Sequence, residues 1–389
     1  MIERATAVAR DARSVRSATA STRPRRAPSL PMQPVRDVER LKWTLPLAGL
    51  LAYVVAFTSV RLPIGNLAMG LALLGVLSAP RVLRLPAPLA VLGVFLIWVL
   101  AVSMRTEYPD WFDLRMMDLV KLWLIALVAY NALKTRGQAR IFMLFFLGCF
   151  ALWPIRGTLL TYFVLHETDN EGRAAWIQLY RNPNDLANMA LLQLSMAAAI
   201  LATERQRWVR IAVSGAIALL PLLILLTQSR GVFLGLLAFL GIVLTGHRKR
   251  LQLGVRLLAV VAILIAVTPA GAWNRLDSLR RATSTDQLAQ VDGEQGSALL
   301  RYQIWRVAAR IISDHPITGV GFNAYKPAHL RYSASPEFDQ HIHDLWDTHS
   351  LYLNVTAETG IPGLLLYLAY LVAVIVPADR VRRRIKPQL

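Results

Sequence analysis

Four arginines and one histidine are the residues of this sequence whose types and positions best suit chemistry. The arginines Arg156, Arg173, Arg181 and Arg230 each stand at or near the end of an apolar run. A guanidinium keeps its charge and forms paired hydrogen bonds through a planar fork, so it suits phosphate binding at such a place. Two other roles stay open for each arginine, which are snorkelling towards the membrane surface and pairing with a local acid.

The histidines are concentrated in the hydrophilic segment 273–349, namely His315, His329, His341, His343 and His349. His349 differs from the others because it directly precedes Ser350-Leu351-Tyr352-Leu353, where an apolar run begins. An imidazole can act as a general base near neutral pH, and His349 is our candidate for that role. Zinc binding is the alternative, through His341, His343 and His349 with Asp339, Asp344 and Asp347. That spacing is too loose to define a site, and we expect no metal and no cofactor.

These residues suit one type of reaction. An acceptor hydroxyl would attack a lipid-linked donor that bears phosphate, the arginines would hold the leaving diphosphate, and His349 would take the acceptor proton. A diphosphate leaves readily once its charge is matched, so the reaction requires nothing further.

The composition shows what kind of protein must position them. The chain has 389 residues, of which 55% are hydrophobic and 17% are charged, whereas soluble domains carry about 25% charge. Its net charge of +19 comes from short basic clusters between apolar runs, so we interpret it as a topology signal and expect no nucleic-acid partner. The single cysteine, Cys149, excludes an intrachain disulfide and a cysteine-based metal site.

The apolar runs predict an all-α polytopic membrane protein with about 10–12 transmembrane helices, because many reach the roughly 20 residues that cross a bilayer. They lie at about 44–60, 63–80, 85–104, 117–133, 141–165, 184–203, 209–227, 231–246, 254–272 and 350–378.

Basic clusters fall on alternate connections between these runs. They are the N-terminal tail, Arg81/Arg84, Lys134/Arg136/Arg140, Arg205/Arg207/Arg210, Arg248/Lys249/Arg250 and Arg380/Arg382/Arg383/Arg384/Lys386. The intervening connections are mixed or acidic. By the positive-inside rule both termini are cytoplasmic and the long hydrophilic segment is outside. All four arginines and His349 then lie at or near the outer surface.

This topology predicts five segments. Residues 1–42 form a disordered basic cytoplasmic tail that attracts anionic lipid, since they lack the hydrophobic stretch of a cleaved signal. Residues 43–272 form a membrane domain of about nine helices, and 273–349 form a periplasmic loop with an amphipathic helix over Ala298–Ser313. Residues 350–378 form a membrane helix or a hairpin, interrupted at Gly360-Ile361-Pro362-Gly363, and 379–389 form a second basic cytoplasmic tail.

Three stretches of the sequence resemble the superfamily of O-antigen ligases, O-antigen polymerases and bacterial O-oligosaccharyltransferases. The first is Gly172-Arg173 followed by Asn182-Pro183-Asn184-Asp185, and the second is Ser229-Arg230-Gly231. The third runs from Trp305 through Asp314-His315-Pro316-Ile317-Thr318-Gly319-Val320-Gly321-Phe322 to His349-Ser350-Leu351-Tyr352-Leu353 and Glu358-Thr359-Gly360-Ile361-Pro362-Gly363. The chain departs from the family at Ser350, where Asn is usual, and it ends soon after residue 378.

The resemblance implies a GT-C-like helical fold and a metal-independent glycosyltransferase at the periplasmic face of the bacterial inner membrane. It implies a glycan on undecaprenyl diphosphate as donor, and as acceptor a glycan, the lipid A core or a protein hydroxyl. By position, Arg230 and His349 match the family's functional arginine and histidine. Arg173 matches the arginine ahead of the Asn-Pro-Asn segment, and Arg181 competes with it for that role.

Three other functions stay open from the sequence. A polymerase that joins repeat units would carry the same residues. A transporter or flippase for the same lipid-linked glycan would show ionisable residues near the middle of the spans and two pseudo-symmetric halves. A non-catalytic scaffold would use the long loop as a docking surface.

Overall fold

The computed structural model describes residues 41–78, 83–169, 172–246, 296–338 and 340–385. Within these ranges the chain is helical and contains no strand. The first 40 residues of the predicted tail and the apolar run at 254–272 lie outside the described residues. The helices are α1 Leu45–Ser59, α2 Gly65–Leu77, α3 Ala87–Ser103, α4 Pro109–Ala132, α5 Arg136–Phe150, α6 Arg156–Phe163, α7 Pro183–Thr203, α8 Arg207–Leu226, α9 Arg230–Gly246, α10 Gly296–Asp314, α11 Tyr325–Tyr332 and α12 Leu351–Ile385.

Apolar helices dominate the described part of the chain. Four segments are long and apolar enough to cross a membrane, namely Arg136–Phe163, Pro183–Thr203, Arg207–Leu226 and Leu351–Arg383. Shorter apolar helices are Leu45–Ser59, Gly65–Leu77, Ala87–Ser103 and Gly231–Leu244. α4 is in neither group, although the sequence predicts a span at 117–133, because Asp118 and Lys121 interrupt its apolar stretch. The fold confirms the prediction of an all-α, multi-pass membrane protein.

Hydrogen bonds between helix termini define the two ends of the bundle. At one end, the side chain of Gln138 caps α5 and donates to the carbonyl of Lys42 ahead of α1, at 2.7 Å. At the same end Arg140 donates to Glu204, between α7 and α8, at 2.7 Å. That bond, with the backbone N–H groups of Gln206 and Arg205, lowers the pKa of the Glu204 carboxyl to about 2. The opposite end, where α3, α6 and α8 finish, is called the loop end below.

The largest apolar core lies between α5, α7 and α8, and includes Phe150, Leu186, Leu220 and Ile224, all fully buried. Between α5 and α6 the helix widens into a π-helical turn at Ala151–Ile155, which contains Pro154. A proline removes one backbone donor, and such wider turns are frequent at functional sites. α6 follows this turn directly and begins with Arg156.

Residues 296–349 form a small helical unit, called the loop domain below, that packs on α3 and α12. The amphipathic helix predicted over Ala298–Ser313 is present as α10, and it buries Ile304, Val307 and Ile311 against α11. Two hydrogen bonds join this unit to the end of α3. The backbone N–H of Phe322 donates to Ser103 at 3.0 Å, and the Thr106 hydroxyl donates to the carbonyl of Val320 at 2.6 Å.

The interruption predicted at Gly360 is a kink between two helical stretches, which together make up α12 from Leu351 to Ile385. Gly360 has φ of 72° and ψ of −179°, a conformation available essentially only to glycine. The kink leaves carbonyl groups without helical partners, and neighbouring segments donate to them. Val320 N–H bonds Ala357 O, Gly321 N–H bonds Glu358 O, and the Trp98 indole bonds Thr359 O, at 2.8–2.9 Å.

Candidate active site

Arg173 lies in the connection between α6 and α7 and is held by an acid of the same loop. The carboxylate of Asp169 accepts hydrogen bonds from both the backbone N–H and the Nε of Arg173, each at 2.7 Å. The two side chains are 18% and 17% exposed, so the pair is largely shielded from solvent. Pairing with a local acid, one of the roles left open by the sequence, is therefore found for Arg173.

The Arg173 loop is fastened to the junction between α8 and α9. The backbone N–H of Ala174 donates to the carbonyl of Leu226 at 2.9 Å, and the Gln228 amide donates to the carbonyl of Gly172 at 3.4 Å. Because α9 begins only two residues after Gln228, the backbone of Arg230 is brought beside this loop. The side chain of Arg230 lies outside the described part of the structure.

Arg173 and Arg181 line one cavity of about 360 Å³, together with Thr161, Glu167, Thr168, Asp169, Ala175 and Trp176. Trp176 rests on Gly157, where an added Cβ would lie 2.3 Å from the indole. It also stacks on Tyr180, which is fully buried against Phe57 and Phe150. These ring contacts hold the connection between α6 and α7 against the bundle, and Arg181 is the residue directly after Tyr180.

The other arginine positions differ in what they contact. Arg181 is exposed, and its guanidinium has no hydrogen-bond or ion-pair partner among the described residues. Arg156 is also exposed, at the start of α6, but it does not line the cavity. The structure thus joins Arg173 and Arg181 in one cavity, with the backbone of Arg230 beside them and Arg156 on a neighbouring helix.

His349 stands apart from this group, in the last turn before α12. Its backbone has φ of 50°, a left-handed conformation that is uncommon for any residue other than glycine. Thr348 fixes this turn, because its hydroxyl bonds both the N–H and the carbonyl of Ser350 while its own carbonyl accepts from Trp305 at 2.8 Å. The His349 side chain is exposed and makes no hydrogen bond to any described residue. Nothing in its hydrogen bonding ties it to the Arg173 loop.

The remaining histidines of the loop domain are engaged in its packing. His315 meets the hydroxyl of Tyr332 at 3.2 Å, and His343 meets Ser333 at 3.3 Å. His329 is fully buried, with Nδ1 3.0 Å from the carbonyl of Asp344 and Nε2 without a partner. Among the described side chains no group of three or more His, Cys, Asp and Glu could hold a metal ion. Asp339 and the His341 side chain, both in the conceivable zinc set, lie outside the described part.

Acidification is expected to loosen the loop domain through His329. Burial lowers the pKa of this imidazole below 6.5, and the neighbouring His343 acts in the same direction, against Asp344. Below pH 6.5 the unfolded state therefore binds a proton that the folded state excludes, so stability falls as the pH drops from 6.5 towards the folded pKa. Hydrogen exchange of 325–346 should be several-fold faster at pH 5.5 than at pH 7.5, after correction for intrinsic rates. In the control His329→Asn, which keeps a donor for Asp344 but does not titrate, this dependence should vanish; its persistence would contradict the explanation.

A second cavity, of about 840 Å³, was not predicted from the sequence. It lies at the loop end between the turn after α3 and the loop domain. Its charged lining residues are Arg105, Glu107, Arg310, Asp314, Arg331 and Glu337. They come from three segments, the first of which lies some 200 residues before the other two, so their spacing in the sequence gave no signal. The sequence features noted in these segments were the acidic residues after α3 and His315.

The comparison with known families agrees with the resemblance drawn from the sequence. Residues 215–368 match the family model described as O-antigen ligase, a segment that runs from α8 to α12. It contains Arg230 and His349, whereas Arg156, Arg173 and Arg181 precede it. No protein of curated description matches the chain. The match, on a multi-pass helical fold, supports the resemblance to O-antigen ligases that the three stretches indicated.

Proposed function

We propose that this protein transfers a glycan from undecaprenyl diphosphate to an acceptor hydroxyl at the periplasmic face of the bacterial inner membrane. The acceptor would be a glycan, the lipid A core or a protein hydroxyl. One observation carries the proposal. The hydrogen bonds from Ala174 to Leu226 and from Gln228 to Gly172 gather Arg173, Arg181 and the backbone of Arg230 at one place on the loop end.

In the proposed reaction His349 removes the proton from the acceptor hydroxyl. The acceptor oxygen forms a bond to the anomeric carbon, and the bond from that carbon to the diphosphate oxygen breaks. The electron pair leaves with undecaprenyl diphosphate, whose added negative charge the arginines stabilise. The exposure of the His349 ring and its unusual backbone conformation support this role, since such conformations cluster at functional sites.

The charges around the first cavity indicate which arginines supply positive charge to the diphosphate. Asp169 balances Arg173, and Glu167 also lines the cavity, so Arg173 and Arg181 alone give no net positive charge. A diphosphate therefore needs further positive charge, which we assign to Arg230, whose backbone lies beside this loop, and to Arg156 at the start of α6. We propose that Arg181, Arg230 and Arg156 balance the charge of the diphosphate. Arg173 binds the diphosphate too, and through its pair with Asp169 it holds the loop in shape.

The variants Arg230→Lys and Arg181→Lys are expected to lower the transfer rate by about 10²-fold or more. Lysine keeps the positive charge but loses the planar fork, and losing one donor to a developing oxyanion costs about 10²–10³ in rate. Rates would be measured with purified protein, lipid-linked donor and the acceptor that accumulates in a deletion strain. The matched control is Arg207→Lys, an exposed arginine at the opposite end of the bundle, which should retain activity. Full activity of Arg230→Lys would contradict the diphosphate role.

The lipid products and the variants of the same strains distinguish a ligase from a polymerase and from a scaffold. A glycan that stays unattached on undecaprenyl diphosphate after deletion, and is attached on complementation, supports the ligase. Growth of free polymer that is still linked to undecaprenyl diphosphate would identify a polymerase instead. Activity that survives every change to the arginines and His349 would indicate a scaffold.

A further inference from the structure

We propose that the second cavity binds a saccharide unit of the acceptor, an inference that rests on the proposed glycan transfer. The cavity shares no lining residue with the cavity of Arg173 and Arg181. Two separate polar cavities at one end of the bundle are what a two-substrate transfer needs. Its volume of about 840 Å³ lies within the range of roughly 300–1,000 Å³ that is usual for ligand sites.

The balance of charge in this cavity favours a polyhydroxylated ligand. Three arginines and three carboxylates line it, so their formal charges cancel. Each sugar hydroxyl both donates and accepts, so a saccharide needs donors and acceptors side by side. The cavity provides both kinds of group.

Some of these polar groups are committed to the fold, whereas others are available. Arg331 pairs with Glu107, Arg310 lies 3.5 Å from Asp314, and Tyr332 meets His315. By contrast, the side chains of Arg105 and Glu337 have no hydrogen-bond or ion-pair partner among the described residues. The guanidinium of Arg105 and the carboxylate of Glu337 line the same cavity and are available to a ligand. They are the groups we expect to contact the saccharide.

The wall of the cavity is closely packed and is hydrogen-bonded to the helix that follows His349. Gly319, Val320 and Thr318 line it, and Gly321 is so close to Thr106 that an added Cβ would lie 2.4 Å from its hydroxyl. The same wall is hydrogen-bonded to Ala357 and Glu358 of α12, about two turns beyond His349. A saccharide held there would therefore be positioned by the same unit that carries the proposed base.

The test uses the full-length protein and the variants Arg105→Gln and Glu337→Gln. Initial rates are measured while the acceptor from the deletion strain and the lipid-linked donor are varied in turn. We expect each variant to raise the KM for the acceptor about tenfold, with kcat and the KM for the donor within about twofold. The matched control is Arg301→Gln, an exposed arginine of α10 that does not line the cavity.

Several outcomes would overturn the proposal. The first is a KM for the acceptor that is unchanged in both variants. The second is a rise in the KM for the donor without a rise in the KM for the acceptor. The third is the finding that the acceptor contains no saccharide. If the wild type transfers nothing, the proposed function fails separately. The cavity is then tested by binding of the water-soluble oligosaccharide released from that acceptor, without donor. Binding weakened about tenfold by Glu337→Gln supports the cavity, whereas equal binding or none overturns it.

Discussion

Replacement of His349 by alanine is expected to reduce glycan transfer by about 10³-fold, with the protein still folded in the membrane. The imidazole is exposed and bonds no described residue, so its removal breaks no contact of the fold. The turn around it is held by Thr348, Ser350 and Trp305, and none of these bonds involves the His349 ring. Loss of activity would therefore report on chemistry rather than on unfolding.

Two comparison variants make this result specific. His349→Asn keeps a residue that tolerates the left-handed backbone but cannot act as a base at neutral pH, so it should be as inactive as alanine. His343→Ala removes another exposed histidine of the same loop domain and should keep most of the activity. Thermal stability and membrane yield of each purified variant are measured beside the transfer rate. Wild-type activity in His349→Ala would refute the role of this residue and the mechanism with it.

The sequence predicted those features that depend on local patterns. Alternation of apolar runs with basic clusters identified a multi-pass helical fold, and the spacing of Ile304, Ala308 and Ile311 identified α10. Short stretches such as Ser229-Arg230-Gly231 indicated the resemblance to O-antigen ligases, which the match over residues 215–368 supports. Each of these signals lies within one element, or repeats along the chain, so no knowledge of tertiary contacts was needed.

What escaped prediction depends on contacts between distant segments. The bond from Thr106 to Val320 spans more than 200 residues, and so does the second cavity that it helps to shape. Similarly, the glycines after Thr359 indicated an interruption but not its form. The carbonyls exposed at the interruption accept hydrogen bonds from Trp98, Val320 and Gly321, which come from distant segments.

That kink leads to the second large expected effect. The variant Gly360→Ala should lose about 3 kcal/mol of stability or more, because two separate costs combine. Its φ of 72° with an extended ψ is strained for alanine, and the added Cβ would lie 2.0 Å from the carbonyl oxygen of Ile317. The obstacle is backbone, which cannot rotate away as a side chain would. The same change would disturb the bond from Ile361 N–H to the carbonyl of Pro316, 2.8 Å in the wild type.

Thermal unfolding of the purified protein measures this loss, and proteolysis of residues 296–349 shows where it acts. The control is Gly215→Ala, a glycine inside α8 whose added Cβ meets no atom within 4 Å. That change should be neutral or slightly stabilising, because alanine favours a helix by up to about 1 kcal/mol. If both variants unfold alike, the kink is not fixed by Gly360, and the loop domain must be held to α12 without it. If only Gly360→Ala exposes the loop domain to protease and also lowers glycan transfer, the kink is the feature that couples the position of His349 to the membrane helices.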